Sequence, residues 1–241
     1  LALTGTGAPK TALITGGSRG IGLAIARALV REGVRVALVA RGAGELESRA
    51  RELGHETLAV AADVTMQSEV DRLAGAVRDA FDGVPDILVN NAGIFIPKAL
   101  DVLSADEFER MMKINLIAPF FLLRAFLADW KAQGRGHLIT IGSVADRTIY
   151  PDNGGYSASK FGLRAMHESL RGETRGTGLR TTLVSPASVD TPIWDTVELP
   201  TENRFPPREK MLRDDAVADA VVWAATRPAS VNVDELRLSA S

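Results

Sequence analysis

A chain of 241 residues, 46% hydrophobic and 24% charged, has the apolar mass for one α/β domain with a sizeable core and too little length for two. Its net charge of −2, without a basic block, excludes the footprint of a nucleic-acid or anionic-membrane binder and points to small-molecule partners. Zero cysteines exclude disulfides and thiol catalysis. With no signal-peptide pattern at the start, the expected location is cytoplasmic.

Residues 1–9 read as a flexible tail, and 10–241 as a single α/β domain. The Gly5-Thr6-Gly7 of the tail has no strand before it and so is no phosphate turn. Thr11 to Thr15 reads as a buried strand, then Gly16-Gly17-Ser18-Arg19-Gly20-Ile21-Gly22, then Leu23 to Arg31 with helical spacing. Between strand and helix, glycines permit a tight turn and let backbone N–H groups approach a pyrophosphate. Gly16, Ser18, Arg19, Gly20, Ile21 and Gly22 are therefore candidate cofactor residues.

Val34 to Ala40 is a second strand. Where an acidic residue would take the ribose hydroxyls of NAD, Ala40 stands, followed by Arg41. Arg41 and Arg19 together suit a 2′-phosphate, so NADP(H) is expected over NAD(H). A helix over Glu45 to Leu53, a strand over Thr57 to Ala61 and a helix over Met66 to Phe81 follow. Asp63 and Val64 close the third strand, where the carboxylate can accept from an adenine amino group or cap the next helix. Asp86 to Val89 is a fourth strand running into Asn90, Asn91, Ala92 and Gly93, small and amide residues that allow a cofactor close to the backbone.

Ser104 to Glu107 is a capping box opening a helix to about Gln133. Inside it, Pro119 deprives the Asn115 carbonyl of its helical donor, so a kink and a relay water at that carbonyl are expected. The longest nearly apolar stretch, Ile114 to Leu123, is half a membrane span. His137 to Gly142 is a fifth strand that ends at Ser143. A helix from Gly154 or Gly155 through Leu170 carries Tyr156 and Lys160, four apart and so on one face. There the ammonium can lower the phenol's pKa from about 10 toward neutrality, making Tyr156 a proton donor or acceptor at a carbonyl or alcohol oxygen that Ser143 helps to hold. Leu179 to Ser185 is a sixth strand. After it come Pro186, Val189 and Thr191 in a segment, 187–213, expected to be a lid. Asp214 to Thr226 is a helix and Val233 to Leu238 a last strand. The alternation implies a Rossmann-like, doubly wound parallel sheet of about seven strands with helices on both faces. His55, His137 and His167 lack metal-ligand spacing, so no catalytic metal is expected.

Taken together, Thr15-Gly16-x-x-x-Gly20-x-Gly22, Asp63, Asn90-Asn91-Ala92-Gly93, Asn115, Ser143, Tyr156-x-x-x-Lys160, Pro186 and Thr191 resemble the short-chain dehydrogenase/reductase family, compact single-domain type, from about Lys10 to Leu238. The resemblance implies hydride transfer between a nicotinamide cofactor and a carbonyl or alcohol. It makes Tyr156 the acid/base, Lys160 its modulator and ribose ligand, Ser143 the substrate-orienting hydroxyl, Asn115 the anchor of a relay water, and Thr191 a contact on the nicotinamide side. It also implies a homodimer or homotetramer through the two helices around Asn115 and Tyr156. Ala187 and Asp146 depart from the glycines usual in the family and leave the pocket open to question. Arg227-Pro228 and Val231 to Leu236 resemble NADP-dependent members acting on small hydroxy acids or broad carbonyls. Ile94, Phe95, Ile149, Tyr150, Trp194, Leu199 and Phe205 are candidate pocket residues for an apolar or aromatic substrate, and Arg147 a candidate grip for a carboxylate. An NADPH-sensing protein without turnover is the alternative.

Overall fold

Five consecutive buried residues, Thr11–Thr15, form β1, whose side chains alternate between two separate apolar layers. The computed structural model describes residues 10–54, 56–197 and 205–241, so the expected tail, His55 and Leu199 lie outside the described residues. Around β1 the remaining strands are β2 (Arg35–Ala40), β3 (Leu58–Ala61), β4 (Ile87–Asn90), β5 (Gly136–Ile141), β6 (Leu179–Pro186) and, after a short ribbon of β7 (Val189–Asp190) with β8 (Leu212–Arg213), β9 (Glu235–Leu238). The parallel sheet runs β3-β2-β1-β4-β5-β6-β9. Sequence order reverses between β1 and β4, and a crevice opens at the C-terminal ends of strands at such a switch point.

The helices are α1 (Gly20–Arg31), α2 (Ala43–Leu53), α3 (Gln67–Phe81), α4 (Ala105–Met112), α5 (Ala118–Gln133), α6 (Gly154–Glu173) and α7 (Asp214–Ala225). Ala12, Ile14, Val36 and Leu38 face a layer with α1, α2 and α7; Leu13, Ala37, Val39 and Leu88 face α3, α5 and α6. Both faces are covered, as parallel strands with continuous apolar runs require.

The expected kink at Pro119 takes another form. α4 passes into α5 through a π-turn, Lys113–Ile117, in which the Ala118 N–H reaches back to the Lys113 carbonyl. The wider turn absorbs the donor that Pro119 lacks, so one helix runs from Ala105 to Gln133. By length and composition that helix is apolar enough to cross a membrane, which corrects the reading of Ile114 to Leu123 as an isolated half-span. Here it packs against α3 and α6 beside the sheet.

His137 on β5 and His167 on α6 are core residues. The first meets the Thr182 hydroxyl at 2.8 Å and the second the Thr140 hydroxyl at 2.9 Å. Burial holds His137 well below the usual imidazole range and His167 down at about 4. Each is therefore neutral in the fold and takes its proton only on unfolding, so stability is complete above about pH 6.5 and falls as the pH drops toward 4. For His167 alone the loss amounts to about 3 kcal/mol. Urea midpoints should fall over that window, less steeply in His167→Gln; a midpoint independent of pH would contradict the linkage.

Candidate active site

At the end of β1 the chain turns through Gly16 (φ +66) and Gly20 (φ +54), conformations that favour glycine. A Cβ on Gly22 would run into the Gly16 carbonyl, so only glycine lets α1 start so close beneath the turn. The N-cap of α1 is Arg19, with no side-chain cap and no acidic residue in the first turn. Its first N–H groups and their positive dipole end thus suit an anion. From β4, Asn91 Nδ2 donates to the Thr15 carbonyl at 2.8 Å, while Thr15 Oγ1 accepts from the N–H groups of Asn91 and Ala92 at 3.0 and 3.1 Å. These bonds join the two strand ends at the switch point.

A cavity of about 1390 Å³ runs along this edge. That exceeds the about 300–1,000 Å³ of a pocket for one small ligand and suits a dinucleotide with a second molecule beside it. At one end lie Arg41 and Asp63. The Asp63 carboxylate is held below its usual range by the Thr65 hydroxyl at 2.7 Å, then by the Thr65 N–H and Arg41, against the cost of burial. Gly16, Ser18, Arg19, Gly20 and Ile21 line it from the glycine turn, with Asn91 and Ala92 against Gly16, and Val64 and Gly93 line it as well. Pro186, Val189 and Thr191 also line it, and the Thr191 side chain sits against Gly20. At the other end are Ser143, Tyr156 and Lys160.

Two expected site residues do not line the cavity. Gly22 is packed behind the turn, against Gly16 and Asn91. Asn115 is buried behind the loop after β4. Its Oδ1 accepts from the Ile94 N–H at 2.9 Å, and its Nδ2 donates to the Ile94 carbonyl and Ser159 Oγ, both at 3.0 Å. Ser159 in turn donates to the Tyr156 carbonyl at 2.7 Å. The Asn115 amide thereby couples the Ile94 loop to α6, with both its N–H groups engaged.

Lys160, 5% exposed, donates to the Ile141 carbonyl at 3.0 Å and lies 5.7 Å from the centre of the Tyr156 ring. Burial lowers its ammonium to about 8, against the charge of Asp146. Tyr156 keeps surface open to the cavity, yet burial pushes its phenol up to about 12, with Ser143 pulling the other way and Asp146 adding to the rise. The shift toward neutrality expected from the neighbouring ammonium is thus not seen in the protein by itself, where desolvation dominates and the only opposing pull comes from Ser143.

Asp146 is a functional neighbour that the sequence marked only as a departure. It is 0% exposed, accepts from Ser185 Oγ at 2.6 Å and Arg147 Nε at 2.7 Å, and reaches the Ser143 N–H at 3.5 Å. Ser143 Oγ meanwhile accepts from the Ala145 N–H at 3.1 Å, completing a capping box around the turn Val144–Asp146. Ser143-x-x-Asp146 has the spacing that announces such a box. Arg147 is turned to Asp146 and Glu235, which withdraws it as a grip for a substrate carboxylate. Ala187 donates its N–H to the Leu238 carbonyl at 2.8 Å, prolonging the β6–β9 pairing where a glycine was expected. Among the described residues, no cluster of His, Asp or Glu forms a metal site.

The family model for short chain dehydrogenase matches residues 10–201. The chain is a short-chain dehydrogenase. It is 35% identical over 229 residues to an uncharacterized oxidoreductase of Staphylococcus epidermidis, covering 95% of this chain and 96% of the relative. Among solved structures it is similar to an alcohol dehydrogenase from the archaeon Thermococcus sibiricus complexed with 5-hydroxy-NADP (36% identity, TM-score 0.86, 96% of both chains). It is also similar to the 3-ketoacyl-(acyl-carrier-protein) reductase from Brucella melitensis complexed with NADH (27% identity, TM-score 0.86, 95% of this chain and 96% of that one). This short-chain dehydrogenase is accordingly an oxidoreductase acting on CH–OH or C=O groups of small molecules with a nicotinamide cofactor.

Proposed function

We propose that this dehydrogenase uses NADP(H), with Tyr156 as the general acid/base, Ser143 as the donor that orients the substrate oxygen, and Lys160 as the charge that supports phenolate. The observation that carries this reading is the meeting of Ser143, Tyr156 and Lys160 at one end of a cavity whose other end holds Arg41 and Asp63. When bound, the cofactor supplies or accepts the hydride at carbon and, in its oxidised form, brings a positive charge to the site. In the reducing direction Tyr156 gives its proton to the carbonyl oxygen, Ser143 hydrogen-bonds the same oxygen, and the alcohol leaves. Lys160 offsets the charge left on Tyr156, and Asn115 holds the Ile94 loop and α6 in register. The reading includes a relay water at the Asn115 backbone carbonyl, whose helical donor Pro119 cannot supply. Consumption of NADPH with a panel of aldehydes and ketones tests the reading; tight NADPH binding with no turnover of any carbonyl would favour a sensor.

The preference for NADP(H) rests on Arg19 and Arg41, both facing the cavity, and on Ala40 in place of an acid. Charge-assisted hydrogen bonds to a phosphate contribute about 1.5–3 kcal/mol. In a fluorescence titration, Arg41→Ala should therefore weaken NADPH about 10- to 100-fold and leave NADH little changed. NADH binding as tightly as NADPH to the unaltered protein would contradict the assignment. The reading extends to a cytoplasmic homodimer or homotetramer, supported by Phe108, Ile117 and Phe120 along α4–α5 and Phe161 on α6, all exposed. A single-chain mass by light scattering would refute that assembly.

A further inference from the structure

Phe95 lies in the loop after β4, Trp194 in the turn Pro192–Thr196 and Phe205 ahead of the turn Arg208–Lys210, yet their rings converge beside the phenol. The Phe95 ring centre is 4.8 Å from that of Tyr156, 5.4 Å from Trp194 and 5.7 Å from Phe205, and Trp194 is 5.3 Å from Phe205. All these pairs are edge-to-face, the arrangement the ring quadrupoles favour. The four rings line the cavity together with Ile94 and Tyr150, and none of them is fully buried.

The wall is held from outside. Trp194 Nε1 donates to the Val189 carbonyl at 2.9 Å, which fixes the indole plane. Arg208 binds Asp190 Oδ1 at 2.6 Å, Asp195 Oδ1 at 2.9 Å and the Thr191 carbonyl at 2.8 Å, and β7 pairs with β8. Both ends of the expected lid segment are tied by these bonds, so Trp194 and Phe205 are in place before a ligand arrives and little ordering cost remains for binding. On the polar side, Arg147 is taken by Asp146 and Glu235, and Lys160 by the Ile141 carbonyl. Among the described residues, Arg110, Lys113 and Lys210 also line the cavity, and none of them has a ring contact with this wall.

We infer that the substrate is an aldehyde or ketone carrying an aromatic or bulky apolar substituent, which packs among Phe95, Trp194 and Phe205 while its oxygen meets Ser143 and Tyr156. The inference rests on the oxidoreductase reading above and goes beyond it in separating apolar carbonyls from the small hydroxy acids that the C-terminal segment suggests. The test compares kcat/KM for benzaldehyde, acetaldehyde and glyoxylate with NADPH. Benzaldehyde should exceed each of the others by at least about tenfold, the range that apolar pocket contacts supply. In Trp194→Ala its advantage over acetaldehyde should shrink by about tenfold, mainly through KM. Because the unaltered protein carries the first comparison, a misfolded variant does not rescue the idea. Glyoxylate turned over as well as benzaldehyde overturns the inference and leaves the oxidoreductase reading standing. No turnover of benzaldehyde while another carbonyl of the wider panel is reduced overturns the inference alone; no turnover of any carbonyl, with NADPH bound, overturns both.

Discussion

Tyr156→Phe should lower kcat/KM for carbonyl reduction by about 10²- to 10⁴-fold, the usual contribution of a positioned general acid, while NADPH affinity changes far less. The substitution removes one oxygen from a ring that Phe95 already packs, so the wall stays intact and only the proton source is lost. The pH dependence has a definite sign. Reduction needs a protonated phenol and a charged Lys160; the phenol near 12 stays protonated, but the ammonium, lowered to about 8, is lost above that pH. Reduction should be steady below about pH 8 and decline above it. Alcohol oxidation, which needs phenolate, should climb into the alkaline range. A reduction rate still rising at pH 9 would show that Lys160 is not the charge that matters.

Asp146→Ala should cost about 3–5 kcal/mol of folding stability, as breaking a buried ion pair does, toward the lower end because Arg147 keeps Glu235. The Ser185 hydroxyl loses its acceptor and the turn carrying Ser143 loses one half of its capping box. Urea denaturation measures this directly. Asp146→Asn keeps the shape and removes the charge. Since Asp146 raises the Lys160 pKa, the decline in reduction should begin below pH 8 in this variant. An unchanged pH profile with lowered stability would make Asp146 a structural residue alone.

The strand and helix sequence was legible because each element satisfies its own periodicity: β1 is uniformly buried, and α4 begins at the capping box that Ser104 and Glu107 spell out. Most candidate cofactor residues came to one cavity for the same reason, since glycine turn and Asn91 each follow a strand whose end is fixed by the sheet. What the sequence hid is what tertiary distance decides. Local rules predicted a proline kink, but nothing within a few residues of Pro119 says that a π-turn will absorb it. Asn115 was expected to serve through its carbonyl; its amide turned out to be bound to Ile94, 21 positions away. Arg147 looked like a free grip for a carboxylate because its partner Glu235, 88 positions on, is invisible to any local pattern. The phenol was expected near neutrality from a helix-face argument that counted the ammonium and not the desolvation around both groups.

The most direct measurement of the central claim is isotopic. With NADPH deuterated at the transferable C4 position and an aldehyde that the protein turns over, mass spectrometry of the alcohol should show one deuterium at the carbinol carbon, formed at a rate that collapses in Tyr156→Phe. Alcohol free of deuterium, or labelled product formed equally fast without the phenol, would contradict hydride transfer assisted by Tyr156.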